Sequence, residues 1–149
     1  MHKCARLRDA VKAESVGVDM VAVVGTECGG HPSMEDVTTL VLIPAVVDRL
    51  KIPVIAGGGF GDGHGLVTAL AMGAEAVLMG TRFLNTLECP VHNTLKEKML
   101  QAQETDTVII QKSIGAATRV LKNKWSDQNY PRKFRKHHSI PGETYSSGE

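Results

Sequence analysis

Apolar positions along the chain alternate between helical stripes and short unbroken runs. Leu7, Ala10 and Val11, set among Lys12 and Glu14, keep helical spacing and predict a helix ending near Gly17. Val18–Val24 is apolar but for Asp19 and predicts a buried strand. Thr38–Leu50 has a helical apolar pattern; Pro44, which has no N–H to donate, belongs in its first turn or kinks it. Val54–Ala56 predicts a strand buried on both faces, Leu66, Val67, Leu70 and Ala71 a helix, and Gly73 its stop. Ala76–Met79 returns as a strand that runs into Gly80-Thr81-Arg82. The order helix, strand, helix, strand, helix, strand predicts a parallel sheet with right-handed crossovers. Met1–Cys4 is too short to assign on its own, so three strands follow from the pattern.

After Arg82 the pattern changes. Phe83–Glu88 predicts a short helix and Val91–Gln103 a longer one through Leu95, Met99, Leu100 and Ala102. Thr107–Gln111 is extended by composition, and Gly115–Lys124 is read as one more helix. From Lys122 to His138 six Lys/Arg stand against one Asp, and with Pro131, Pro141 and the final Ser-Ser-Gly-Glu this reads as a mobile basic tail. The expected division is therefore a domain over 1–121 and a tail over 122–149.

Composition narrows the class. A chain of 149 residues fits one domain with a real core, and a formal charge of +1 argues against nucleic acid as the main partner. Cys4, Cys28 and Cys89 are odd in number and lack metal-type spacing, which predicts reduced thiols in a cytoplasmic setting. No apolar run approaches the roughly 20 residues needed to span a bilayer, and the basic N-terminus has no hydrophobic segment behind it.

The candidate chemistry sits at strand ends. Gly57, Gly58 and Gly59 follow a strand at once, and Gly80-Thr81 follow the next; in a parallel unit these ends are neighbours. Two loops rich in backbone donors at adjacent strand ends suit a phosphate. The same glycines would also serve a tight turn with no ligand, and the pattern alone leaves both readings open. Gly25–Met34 forms a further loop with Gly29, Gly30 and His31 at its centre. Glu35 and Asp36 read as helix-start acids after Ser33, in a Ser-x-x-Asp capping pattern. Arg82 is expected to support the phosphate loop, and Cys28 reads as a small buried residue.

His-Lys-Cys at 2–4, Gly-Gly-His-Pro at 29–32, Gly-Gly-Gly-Phe-x-Asp-Gly at 57–63 and Met-Gly-Thr-Arg-Phe at 79–83 occur in order. In this the chain resembles the C-terminal half of the nitronate monooxygenases, FMN-dependent (β/α)8 barrels, from His2 to about Val120. A flavin-dependent enoyl-acyl-carrier-protein reductase family shares Gly-Gly-His and Gly-Thr-Arg-Phe; Glu35-Asp36-Val37-Thr38 and Leu42-Ile43-Pro44 lean toward the nitronate branch. The resemblance implies an α/β fold, the C-terminal half of a TIM barrel, with FMN as cofactor. It places Lys3 at a strand end near the flavin, Gly29 and Gly30 where backbone approaches the cofactor, and Gly57, Gly58, Gly59, Gly80 and Thr81 in the phosphate loops. His31 matches the catalytic histidine, able to take a proton next to a nitro group or to hold a nitronate oxygen. His64 departs from the arginine usual in relatives and is assigned no role.

The implied reaction oxidises alkyl nitronates or nitroalkanes with dioxygen to carbonyl compounds and nitrite. A full barrel takes about 250 residues and at least roughly 200. The first four strands are missing, so the sequence reads as a truncated product. Its activity then calls for a second copy or a complementing half-barrel. The alternatives are a non-catalytic remnant with residual FMN or phosphate affinity, and a flavin reductase acting on an acyl thioester.

Overall fold

The computed structural model describes residues 1–129. Four parallel strands, β1 (His2–Cys4), β2 (Val21–Val24), β3 (Val54–Gly57) and β4 (Ala76–Leu78), form one sheet whose strand order is the order in the chain. The connections carry α1 (Leu7–Ser15), α2 (Thr39–Val47) and α3 (Gly63–Ala71). Parallel strands in sequential order, each followed by a helix, are the repeating unit of a (β/α)8 barrel, here as part of one. The segment too short to assign, His2–Cys4, is the fourth strand of this sheet.

The register explains the two faces. Val21 pairs with Val54, Val23 with Ala56 and Cys4, and Ala56 with Val77. Side chains alternate along a strand. These residues therefore share one face, where they form a core with Ala10, Ala13, Leu42, Ile43, Val46 and Ala69 from the helices. The opposite face carries Lys3, Ala22, Ile55 and Ala76 in one row and Val24, Gly57 and Leu78 in the next. All four residues of β2 are buried, which is why that strand reads as a continuous apolar run.

Helix ends follow local chemistry. Asp62 caps α3 by accepting the Gly65 amide at 3.1 Å, and Gly73, at φ +88, ends it in a left-handed conformation that glycine adopts without steric cost. Pro44 is the sixth residue of α2 and so lies beyond the expected first turn; the carbonyl it leaves without a helical donor is that of exposed Leu40. The expected cap at Ser33 is corrected too. Ser33 Oγ accepts the Glu35 amide at 3.1 Å in a local turn, Asp36 is left-handed at φ 52, and the helix begins only at Thr39.

Beyond β4 come α4 (Thr81–Leu84) and α5 (Asn93–Gln101), then β5 (Thr107–Ile110) and β6 (Thr118–Leu121) in antiparallel pairing. The helix expected over Gly115–Lys124 is overturned by β6. Gly115, left-handed at φ 74, ends the short 3-10 turn Lys112–Ile114, and Thr118–Leu121 then pairs along β5, from Ile110↔Thr118 to Thr107↔Leu121. Of the segment read as a tail, α6 (Lys124–Asn129) is helical, its start held by Asn123 Oδ1 accepting the amides of Trp125 and Ser126 at 2.9 and 3.0 Å. The remainder of that segment, from residue 130 on, lies outside the described residues.

Candidate functional site

A parallel sheet gathers the C-terminal ends of its strands on one edge, where open α/β folds and barrels hold their ligands. A cavity of about 770 Å³ lies there, within the size range of small-molecule and cofactor sites. Lys3 from β1, Val24 from β2, Gly58 and Gly59 after β3, and Gly80 and Thr81 after β4 line one side. Met99 and Ala102 from the α5 region and Arg119 and Leu121 from β6 line the other. Gly29 and Gly30 contribute from the loop after β2. Lys3, Gly29, Gly30, Gly58, Gly59, Gly80 and Thr81, expected around a cofactor, thus surround one space.

Two expected residues stand apart. Gly57 belongs to β3, is buried, and is absent from the cavity lining. A Cβ there would lie 2.7 Å from Val24 Cγ1 and 3.3 Å from Leu78 Cβ, so this glycine lets its row neighbours on β2 and β4 close over it. His31 follows Gly30 on the chain but is exposed and outside the lining.

The cradle divides by what a side chain would meet. At Gly29, Gly30 and Gly80 an added Cβ would find nothing within 4 Å, so the backbone there faces open space a ligand can enter. At Gly58, φ +97, a Cβ would come within 2.8 Å of Thr39 Oγ1, so glycine is required there by the fold itself. Glycine backbone at an open cavity that Lys3 also lines is chemistry that fits a phosphate monoester, although the Gly30 amide itself is already given to the Arg119 carbonyl. Arg82 Nε donates to the Gly61 carbonyl and braces the loop that follows the glycines.

Three residues that the sequence reading passed over hold this architecture. Thr39, buried at the start of α2, places its hydroxyl 2.8 Å from Glu27 Oε2, 3.2 Å from the Gly57 carbonyl and 3.0 Å from the Gly58 carbonyl. Glu27 accepts the Thr39 amide through both carboxylate oxygens, at 3.0 and 2.9 Å, and so occupies the N-terminus of α2. Arg119 fastens the loop after β2 to the hairpin. Its Nε and Nη2 donate to the Thr26 carbonyl at 3.1 and 3.0 Å, and its Nη1 to Thr107 Oγ1 at 3.0 Å. Its backbone exchanges two bonds with Gly30, at 3.1 and 2.7 Å. Lys112 pairs with Asp36 on the same loop, whose other carboxylate oxygen accepts from Thr26 Oγ1 at 3.4 Å. The loop bearing Gly29, Gly30 and His31 is therefore anchored from several sides. Thr39, Glu27 and Arg119 stand in no pattern of spacing that would single them out in the sequence.

Cys28 lines the same cavity, and burial pushes its thiol above the ordinary range, with Lys3 and Arg119 pulling the other way and Glu27 adding to the rise. Among the described residues no group of three or more His, Cys, Asp or Glu could hold a metal ion. No described helix is long and apolar enough to cross a membrane.

Sequential parallel β/α units with glycine-rich loops at the strand ends are those of a (β/α)8 barrel. Its family follows from comparison: the nitronate monooxygenase family model matches residues 3–141, and the chain belongs to that family. It is 38% identical over 128 residues to a probable nitronate monooxygenase of Staphylococcus saprophyticus, covering 80% of this chain and 36% of that protein. It is 46% identical over 114 residues to a hydroxy-methyl-oxo-octahydroindene carboxyl-CoA dehydrogenase of Rhodococcus jostii, covering 76% of this chain and 32% of that one. FabK from Thermotoga maritima superposes with a TM-score of 0.83 at 40% identity, over 90% of this chain and 42% of its own. The chain thus spans about a third of the length of these curated relatives.

Proposed function

We propose that this chain carries the FMN-binding part of an oxidoreductase that oxidises alkyl nitronates or nitroalkanes with dioxygen, giving carbonyl compounds and nitrite. The observation that carries the reading is the single cavity at the strand ends around Lys3, Gly29, Gly30, Gly58, Gly59, Gly80 and Thr81. Gly59, Gly80 and Thr81 would hold the FMN phosphate by their amides, with the Thr81 hydroxyl as a further donor. Lys3 offsets negative charge on the phosphate or ring, and Gly29–Gly30 let the backbone approach the ring closely. FMN supplies the electron transfer from nitronate to dioxygen. His31 takes the proton from the carbon next to the nitro group, or holds a nitronate oxygen, from the loop that Arg119 anchors.

In this reading residues 1–121 form the flavin-binding unit and 122–149 a basic appendage, the protein works in the cytoplasm, and its substrates are small molecules rather than nucleic acid. A second copy or a complementing half-barrel completes the enclosure against the edge strands β1 and β4.

A second reading, oxidoreduction of a CoA thioester, is favoured by the 46% identity to a protein named for a carboxyl-CoA substrate. The two substrates share an acidic C–H beside an electron-withdrawing group, so one site chemistry serves either. The test is direct. The purified chain titrated with FMN should quench flavin fluorescence saturably, and the loaded protein should consume oxygen with a nitroalkane. His31→Ala should remove most of that turnover and leave flavin bound. A chain with no flavin affinity refutes the cofactor assignment; unchanged turnover in the variant refutes the role of His31.

A further inference from the structure

A second cavity, of about 700 Å³, opens beside the first, and nothing in the flavin reading uses it. Its walls come from α5, β6 and α6 and bring together Lys98, Lys122, Lys124, Trp125 and Asp106. The only carboxylate among these is Asp106, which accepts the Gln103 amide at 3.0 Å while its carbonyl receives the Lys122 amide at 2.9 Å. None of the three lysines enters an ion pair among the described residues. Three ammonium groups against one carboxylate make the walls a local anion trap on a chain of formal net charge +1. Trp125 adds an indole that is 52% exposed, a surface on which a flat base stacks.

Ala102 and Leu121 line both cavities. The basic cavity and the flavin cavity therefore share an apolar wall, with the expected reaction site on one side and the lysines on the other.

We propose that the basic cavity binds the phosphorylated adenosine diphosphate handle of a large coenzyme, whose reactive end reaches the flavin cavity past Ala102 and Leu121. Lys98, Lys122 and Lys124 neutralise the phosphates and Trp125 stacks on the adenine. The flavin's own phosphate is met by the glycine loops, so the lysines serve a second phosphorylated ligand. A CoA thioester carries this handle on an arm that places its acyl group at a distance from the phosphates, and here the inference rests on the second reading above. A nicotinamide dinucleotide phosphate carries the same chemistry.

The protein has one tryptophan, so its emission reports this cavity alone. The intact chain, with and without FMN, is titrated with CoA, with NADPH and with inorganic phosphate, following Trp125 emission and calorimetric heat, with flavin absorbance read in parallel. The expected result is saturable quenching by CoA or NADPH that weakens as salt rises, with phosphate far weaker. Lys98→Glu combined with Lys122→Glu, both at exposed positions, should weaken binding at least tenfold and leave FMN binding intact. Saturation by CoA alone assigns the thioester, and by NADPH alone the nucleotide; either supports the site. No saturable heat or quench with either, equal binding by inorganic phosphate, or binding unaffected by the double variant overturns it. Loss of FMN binding with retained CoA binding would count against the flavin reading and leave this site standing.

Discussion

Replacing Arg119 with alanine tests how the loop that carries Gly29, Gly30 and His31 is held. The half-buried guanidinium makes three hydrogen bonds at 3.0 to 3.1 Å, two to the Thr26 carbonyl and one to Thr107 Oγ1. At a half-exposed position each contributes about 1 to 1.5 kcal/mol, since water competes for the same groups. Two of the three share one acceptor, so we take about 2 to 4 kcal/mol for the whole clamp. The backbone bonds between Gly30 and residue 119 do not involve the side chain and remain possible in the variant. Loosening should therefore show as local opening. Native-state hydrogen exchange at the Gly30 and residue 119 amides should accelerate roughly 30- to 800-fold, at about tenfold per 1.4 kcal/mol. The amide of Val23, inside the sheet, should change little. Arg119→Lys, with one ammonium in place of a planar fork, should fall between. Unchanged exchange at Gly30 in Arg119→Ala would refute the clamp, whatever happened to global stability.

Two glycine substitutions should separate ligand space from packing. A Cβ added at Gly80 finds no protein atom within 4 Å, so Gly80→Asp should leave thermal stability nearly unchanged while lowering FMN affinity at least tenfold, because a carboxylate would face the phosphate; retained affinity would contradict the phosphate placement. Gly57→Ala drives a Cβ to within 2.7 Å of Val24 Cγ1 and should cost about 1 to 3 kcal/mol in urea unfolding, and a neutral result would show that β2 and β3 can spread freely. Asp62 has its carboxyl held below the ordinary aspartate range by the Gly65 amide first and the His64 ring second. A lowered folded-state pKa stabilises above the unfolded value of about 3.9 and is lost as pH falls through the folded value. Asp62→Ala should therefore melt earlier than the parent at pH 6, with the gap closing below about pH 4; a gap that persists well below that range would assign the effect to something other than the charged cap.

The alternation of helix and strand was legible because buried parallel strands are apolar on both faces and cannot be mistaken for half-exposed ones. Val21–Val24 is the clear case. His2–Cys4 was not, because three residues carry no periodicity; its identity as a strand depends on its pairing with β2. The hairpin was misread at Thr118–Leu121 because helix propensity and strand alternation differ little over four residues, and the decision belongs to the partner strand Thr107–Ile110. In the candidate site, glycines announce themselves by clustering. Thr39, Glu27 and Arg119 do not, since each acts by reaching across the chain to a backbone atom that no sequence spacing reveals.

The sheet order β1-β2-β3-β4 repeats the order of synthesis. Every ladder in it joins consecutive strands, so each new β/α unit can dock on the one before as it leaves the ribosome, with no wait for a distant segment. The exception is the loop after β2, whose fastening to Arg119 requires a residue made much later. The sheet can thus accrete step by step, while the ligand cavity closes only when β6 arrives and locks the Gly30 loop into place.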